Sequence, residues 1–155
     1  MANRTKYNVS ENKEKRTYNG IVFDSEIEMK YYRDVVIPQM ESGEIVACER
    51  QKKYILQPAF KHNGKKIQPI EYKADFYIKY KNNKEIVVDT KGCPDSVALI
   101  KRKMFWHVFP ELDYVWMVYV KKFGGWIEYD DCKRLRKEEK KEKARRQKDE
   151  QNKEK

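Results

Sequence analysis

Apolar and polar residues are spaced in two short patterns around Asn82-Asn83. Phe76 and Ile78 lie two apart on one side, and Ile86 and Val88 lie two apart on the other. A period of two predicts a pair of β-strands, here joined by a polar turn. Setting Phe76 opposite Val88 and Ile78 opposite Ile86 gathers the apolar side chains on one face. It places Asp75 opposite Asp89 on the alternate face, with Lys91 two residues further along. A two-residue turn at Asn82-Asn83 would slip the register by one and set Phe76 against Asp89. The pattern therefore predicts an odd-length loop centred on Asn82.

The same reading extends along the chain. Thr17–Phe23 predicts a short hairpin turning at Asn19-Gly20. Ser25-Glu26-Ile27-Glu28 has capping-box spacing and opens a helix whose stripe is Ile27, Tyr31, Val35 and Val36. Pro38 should kink or end it, with an exit between Met40 and Gly43. Ile45–Cys48 and Lys53–Phe60 are extended segments, and His62-Asn63-Gly64-Lys65 is a hairpin turn leading into the strand of Asp75. Asp95 or Ser96 caps a second helix ending near Phe109-Pro110, with Val97, Ile100, Met104 and Val108 as its buried face. Tyr114–Val120 is an apolar strand, and Gly124-Gly125 turns into Trp126–Tyr129. The order predicts an α/β fold in which helices flank a small mixed β-sheet. The expected division is an arm over 1–16, a domain over 17–130, and a charged, helical tail over 131–155.

At 155 residues the chain can bury a core without staples. Its net charge is +10, but residues 133–155 hold 12 Lys/Arg against 6 Asp/Glu, which accounts for +6 of it. The body is thus mildly basic, and a polyanionic partner is the natural expectation. The tail reads either as a nonspecific DNA clamp or as a solvated helix. Cys48, Cys93 and Cys132 lack zinc-site spacing and read as reduced thiols in an intracellular protein. No apolar run suits a signal core or a membrane span, so the expectation is a soluble chain with no membrane partner.

Two neighbouring carboxylates repel unless one is protonated, metal-bound or paired. Asp75, Asp89 and Lys91 therefore suggest a catalytic metal site. The plainer alternative is a structural ion pair between Lys91 and either Asp. Glu28 has two competing uses, as the capping partner of Ser25 or as a third acid at the site. Trp106, Trp116 and Trp126 read as core or rim aromatics rather than base-stacking platforms.

In order and spacing the chain resembles the PD-(D/E)XK nuclease superfamily. The matching pieces are Phe23-Asp24-Ser25-Glu26-Ile27-Glu28, Gln51, Tyr72-Lys73-Ala74-Asp75-Phe76, Val88-Asp89-Thr90-Lys91-Gly92 and Lys101-Arg102-Lys103-Met104-Phe105, over roughly residues 17–110. It is most similar to small phage- and prophage-encoded members whose domain has no assigned function, and more distantly to Holliday-junction resolvases. Asp89 stands where Glu is common, and Ala74 replaces the nominal Pro.

The resemblance implies a restriction-endonuclease-like core and Mg²⁺-dependent DNA endonuclease activity, with Mn²⁺ as a substitute ion. Asp75, Asp89, the backbone carbonyl of Thr90 and Glu28 would hold the metal. Lys91 would orient the attacking water or stabilise the phosphorane, and Lys101, Arg102 and Lys103 would meet the DNA backbone. It also implies a branched-DNA substrate such as a Holliday junction, in phage replication or recombination. A homodimer and the cytoplasm of a bacterial host complete what it implies. A catalytically silent nucleic-acid-binding or adaptor protein on the same fold is the alternative.

Overall fold

A computed structural model of the chain describes residues 12–153. The core is a five-stranded mixed sheet in the order β3-β6-β7-β8-β9. These strands are β3 (Ile45–Gln57), β6 (Ile70–Tyr80), β7 (Glu85–Thr90), β8 (Asp113–Val120) and β9 (Gly125–Glu128). Only β7 and β8 run parallel, and the helix α3 (Ser96–Val108) is the crossover that such a pair requires. Two separate hairpins, β1–β2 (Thr17–Tyr18, Ile21–Val22) and β4–β5 (Phe60–His62, Lys65–Ile67), complete the strands. Each turns through Asn-Gly with positive φ at both residues, 48° and 75° in each case. That geometry suits the twist of flanking strands and favours Asn-Gly.

The expected register is present. Phe76 faces Val88 and Ile78 faces Ile86, and the connecting loop is Lys81-Asn82-Asn83 with Asn83 left-handed at φ 64°. The segments expected over Ile45–Cys48 and Lys53–Phe60 are instead mostly one long strand, β3, paired along its length with β6.

Adjacent residues of β7 belong to different cores, which identifies the two faces of the sheet. Val88 packs with Phe23, Met29, Tyr31, Val36, Phe76 and Ile78 under the first helix. Val87 packs with Tyr54, Tyr72, Ala74, Phe105, Tyr114 and Trp116 under α3. Phe105 is the hub of the second core, with ring centroids 4.4 to 5.7 Å from Tyr54, Tyr72, Phe109 and Tyr114. Each such aromatic pair adds about 0.5–1.5 kcal/mol beyond area burial.

The first helix comprises α1 (Glu26–Tyr31), a π-turn (Tyr32–Val36) and α2 (Ile37–Glu41). The π-turn inserts one extra residue per turn, so Tyr31 and Val36, five apart, are both buried. Pro38 lies inside this continuous helix, directly after the π-turn, so its missing N–H falls where the α-ladder is already broken, and the helix ends at Glu41.

The second helix is rotated from its expected setting. Of the four residues expected inside, Met104 packs against the second core, but Val97, Ile100 and Val108 are exposed, and Arg102 and Phe105 are buried. The aromatic hub at Phe105 decides this, because the rings of Tyr54, Tyr72 and Tyr114 offer it more contact than an aliphatic stripe could.

Of the arm expected over residues 1–16, residues 1–11 lie outside the described residues. Lys13–Arg16 form a 3-10 turn, and the Arg16 guanidinium donates to the Phe23 carbonyl. The final helix α4 (Tyr129–Lys153) is long and highly charged, with Cys132 buried at its base. Among the described residues no helix is long and apolar enough to cross a membrane.

Candidate active site

The alternation of β3 and β6 breaks in mid-strand as well as near the ends of their pairing, and the mid-strand break builds the site. Tyr72 and Ala74 face α3, whereas Phe76 and Ile78 face the first helix, although all four are even-numbered. Pairing runs Arg50–Phe76 and Lys52–Ala74, with no regular pair at Gln51 and Asp75 between them. Gln51 adopts φ 57°, a left-handed conformation costly for a residue with a Cβ. Both side chains at the break aim toward the first helix. Gln51 Nε2 donates to Glu28 Oε1 at 2.9 Å, and Asp75 lines a cleft with Ser25 and Glu28.

That cleft has a volume of about 900 Å³. It lies between the start of α1, the end of β7 and the start of α3, and its walls include Asp24, Glu28, Asp75, Lys91, Asp95 and Trp126. Its size and mixed lining suit a ligand with both polar and apolar parts.

Glu28 takes part in capping its helix and also stands on the cleft wall. Its N–H donates to Ser25 Oγ at 3.2 Å, and its Oε2 accepts from the Asp24 N–H at 3.1 Å. This is a capping arrangement displaced by one residue. The other oxygen takes Gln51, with Arg50 at 4.0 Å. The side chain is nonetheless a wall of the cleft and almost wholly buried. Burial, more than any neighbour, pushes its carboxyl above the ordinary range.

Asp75 does not meet Asp89 across the ladder, because regular pairing stops at Phe76–Val88. Its Oδ2 instead accepts from the Thr90 N–H at 2.7 Å and from the Thr90 hydroxyl at 2.8 Å. Those bonds favour the charged form, but burial and the charges of Asp89 and Glu28 outweigh them. The carboxyl is held well above its usual value.

Asp89 is 2% exposed and does not line the cleft; it borders Tyr72 and Tyr114 of the α3-side core. Its Oδ2 touches Lys91 Nζ without a properly angled hydrogen bond. Beneath it runs a buried polar chain in which Trp116 Nε1 donates to Tyr114 Oη at 2.6 Å, and Tyr114 Oη to Tyr72 Oη at 2.6 Å. Burial first, and then the charge of Asp89, push the Tyr72 hydroxyl far above a free tyrosine, so it remains a donor. Nothing in the sequence pattern marked this chain, because tyrosines at strand positions look like ordinary core.

Lys91 lies in the cleft and within 5.5 Å of the Trp116 ring. Among the described residues, no three His, Cys, Asp or Glu side chains converge at ligand spacing. Asp75 is drawn to Thr90, and Asp89 to Lys91.

The residues expected at the DNA backbone divide three ways. Arg102 is a correction: it is buried, with its guanidinium 4.4 Å from the Trp106 ring and 4.5 Å from the Trp116 ring, and it forms a bidentate pair with Asp130. Stacking on planar rings and gripping a carboxylate suit a guanidinium, so this arginine ties α4 to α3. Lys101 donates to the Glu71 carbonyl at 2.8 Å. Lys103 is exposed and makes no ion pair among the described residues.

No curated protein matches this sequence. A family model does, that of DUF1064, described as a protein of unknown function. The match runs over residues 4–125, which takes in Glu28, Gln51, Asp75, Asp89 and Lys91 and stops before α4. The chain belongs to the DUF1064 family.

Proposed function

We propose that this protein is a metal-dependent endonuclease of the PD-(D/E)XK type, hydrolysing DNA phosphodiester bonds. The carrying observation is the shared cleft. Glu28, Asp75 and Lys91 line it together, and Lys91 touches Asp89, which is buried and not itself on the cleft wall. The five-stranded mixed sheet, with helices on both faces, is compatible with a restriction-endonuclease-like core.

The residues fit a hard divalent cation. The donors are carboxylate oxygens, and two of the carboxyls have pKa values raised by burial and neighbouring charge, which a cation would relieve. Asp75 and Asp89 would hold Mg²⁺, with Glu28 and the Thr90 carbonyl as further ligands. What the ion supplies when bound is polarisation of the scissile phosphate and a lowered pKa for a coordinated water.

The chain's own residues do the rest. Thr90 fixes the Asp75 carboxylate by two bonds, and Gln51 and the Asp24 N–H fix Glu28. Lys91, on the cleft wall beside Asp89, would turn its ammonium to the negative charge building on the phosphorane oxygens.

A second reading, a silent nucleic-acid-binding or adaptor protein, is favoured by the closed Asp89–Lys91 contact. One assay separates the two. Labelled linear, flapped and four-way-junction DNA are incubated with the protein in Mg²⁺, Mn²⁺ or EDTA. The nuclease reading expects metal-dependent cleavage that falls by about 10²-fold or more in Asp75→Asn and Asp89→Asn. Binding without cleavage in either metal points to the adaptor. A preference for the junction substrate would support a role in phage recombination.

A further inference from the structure

We infer that the β4–β5 hairpin is a duplex-DNA-binding arm that enters a groove of the double helix. This rests on the reading that the protein acts on DNA, and it assigns the hairpin a role that the catalytic cleft does not require.

From Arg50 to Ile70 the chain contains Arg50, Lys52, Lys53, Lys61, Lys65 and Lys66, and no acid. The hairpin is a separate two-stranded sheet, exposed at every strand position. Proline stands on both of its connections to the main sheet, Pro58 before β4 and Pro69 after β5. Neither proline can donate to a ladder, so the long β3–β6 pairing stops there and the ribbon stands off as its own unit.

The register of the ribbon is unfavourable without a partner. Lys61 faces Lys66, ammonium against ammonium, and His62 faces Lys65, so no acid offsets a lysine across the ribbon. Like charges directly opposite on paired strands are destabilising. Lys61, Lys65 and Lys66 form no ion pair among the described residues. Arg134, Arg145 and Arg146 on α4 are, by contrast, paired with acids three or four residues away. A row of phosphates would remove the repulsion. The third pair, Phe60 opposite Ile67, is apolar and exposed at 46% and 37%. It shares a face with His62 and Lys65 and offers the ribbon a surface for the sugars of one groove wall.

Shape agrees with charge. A two-stranded ribbon fits the major groove, which is about 12 Å wide, and alternation sends the Lys61–Lys66 pair to one side and the His62–Lys65 pair to the other. Each side can then face one of the two phosphate walls. Along extended chain the tip lies at most about 36 Å from Asp75, close to one turn of B-DNA.

The test is duplex binding by fluorescence anisotropy across a salt series, in Ca²⁺ or EDTA so that no cleavage intervenes. The triple variant Lys61→Gln, Lys65→Gln, Lys66→Gln is compared with wild type and with a charge-matched α4 variant, Lys137→Gln, Lys141→Gln, Lys148→Gln. Loss of three phosphate contacts should reduce the slope of log affinity against log salt by about 2.7, and affinity near 0.1 M salt by about 10²-fold. The α4 variant should lose markedly less.

Equal losses in the two triple variants would show a mere net-charge effect and overturn the arm. An unchanged slope in the hairpin variant would overturn it too, while leaving the nuclease reading intact if wild type still cleaves. If the hairpin lysines govern duplex binding but cleavage ignores Asp75 and Asp89, the arm stands and the proposed chemistry falls. Melting curves of each variant check that the fold is retained.

Discussion

Replacing Asp75 by asparagine should stabilise the fold more than replacing it by alanine, and the reason lies in two hydrogen bonds. Asparagine keeps an oxygen to accept from the Thr90 N–H and hydroxyl, now 2.7 and 2.8 Å from Asp75 Oδ2. It also removes a negative charge crowded by Asp89 and Glu28. Relief of active-site strain of this kind is worth about 0.5–2 kcal/mol. For a chain of this size each kcal/mol moves the melting temperature by roughly 2–4 °C. Alanine removes the charge as well, but strands the buried Thr90 donors at a cost of about 1–3 kcal/mol.

The pH dependence has a definite sign. Because the folded-state pKa of Asp75 is raised, the native protein holds a proton that the unfolded chain releases. Stability therefore falls as pH rises from the ordinary aspartate range toward the folded value. Below both values the carboxyl is neutral in each state and the penalty vanishes. The advantage of Asp75→Asn over wild type should be larger at pH 8 than at pH 5. Thermal melts in EDTA at these two pH values are the assay. A lower melting temperature for Asp75→Asn at pH 8, or a gain in Asp75→Ala equal to that in Asp75→Asn, would refute the account.

Millimolar Mn²⁺ should raise the melting temperature of wild type and leave Asp75→Asn nearly unmoved; tenfold excess over Kd corresponds to about 1.4 kcal/mol, read by differential scanning calorimetry. Gln51→Gly should be more stable than Gln51→Ala by about 1 kcal/mol, since both lose the bond to Glu28 but only glycine relieves φ 57°, and denaturant titration measures the difference. Arg102→Ala should cost about 1–3 kcal/mol through lost ring stacking and the lost Asp130 pair, yet leave the salt slope of DNA binding unchanged. Tyr72→Phe should weaken cleavage more than it weakens duplex binding, because it frees the buried side of Asp89 without touching the β4–β5 surface; single-turnover kinetics beside anisotropy would show it.

What the sequence made legible follows from period and turn chemistry. Phe76, Ile78, Ile86 and Val88 specify a register because a one-residue slip would turn each to the wrong face, and Asn-Gly marks two hairpins because few other pairs tolerate two positive φ values. Where side chains leave that rhythm, the pattern misleads. Asp75 and Gln51 sit at a break in alternation that no hydropathy profile records, so Asp75 reaches Thr90 instead of lying squarely opposite Asp89. The setting of α3 was illegible for another reason. A stripe of Val97, Ile100 and Val108 looks like the inner face until the ring cluster around Phe105 competes for the same space. Arg102 was misplaced with it, since a guanidinium sandwiched by indoles looks the same in sequence as one in water.

The charged helix α4 is secured to the body only near its start, by Cys132, by Asp130 through Arg102, and by Glu139 through Lys122. Past Glu139 the support seen among the described residues is its own pairs, such as Arg146 with Glu142 at 3.0 Å. Such pairs are worth a few tenths of a kcal/mol and are screened by salt. The reach of this rod is thus set by the medium: about 20 Å of it stays extended in dilute buffer and frays as ionic strength climbs.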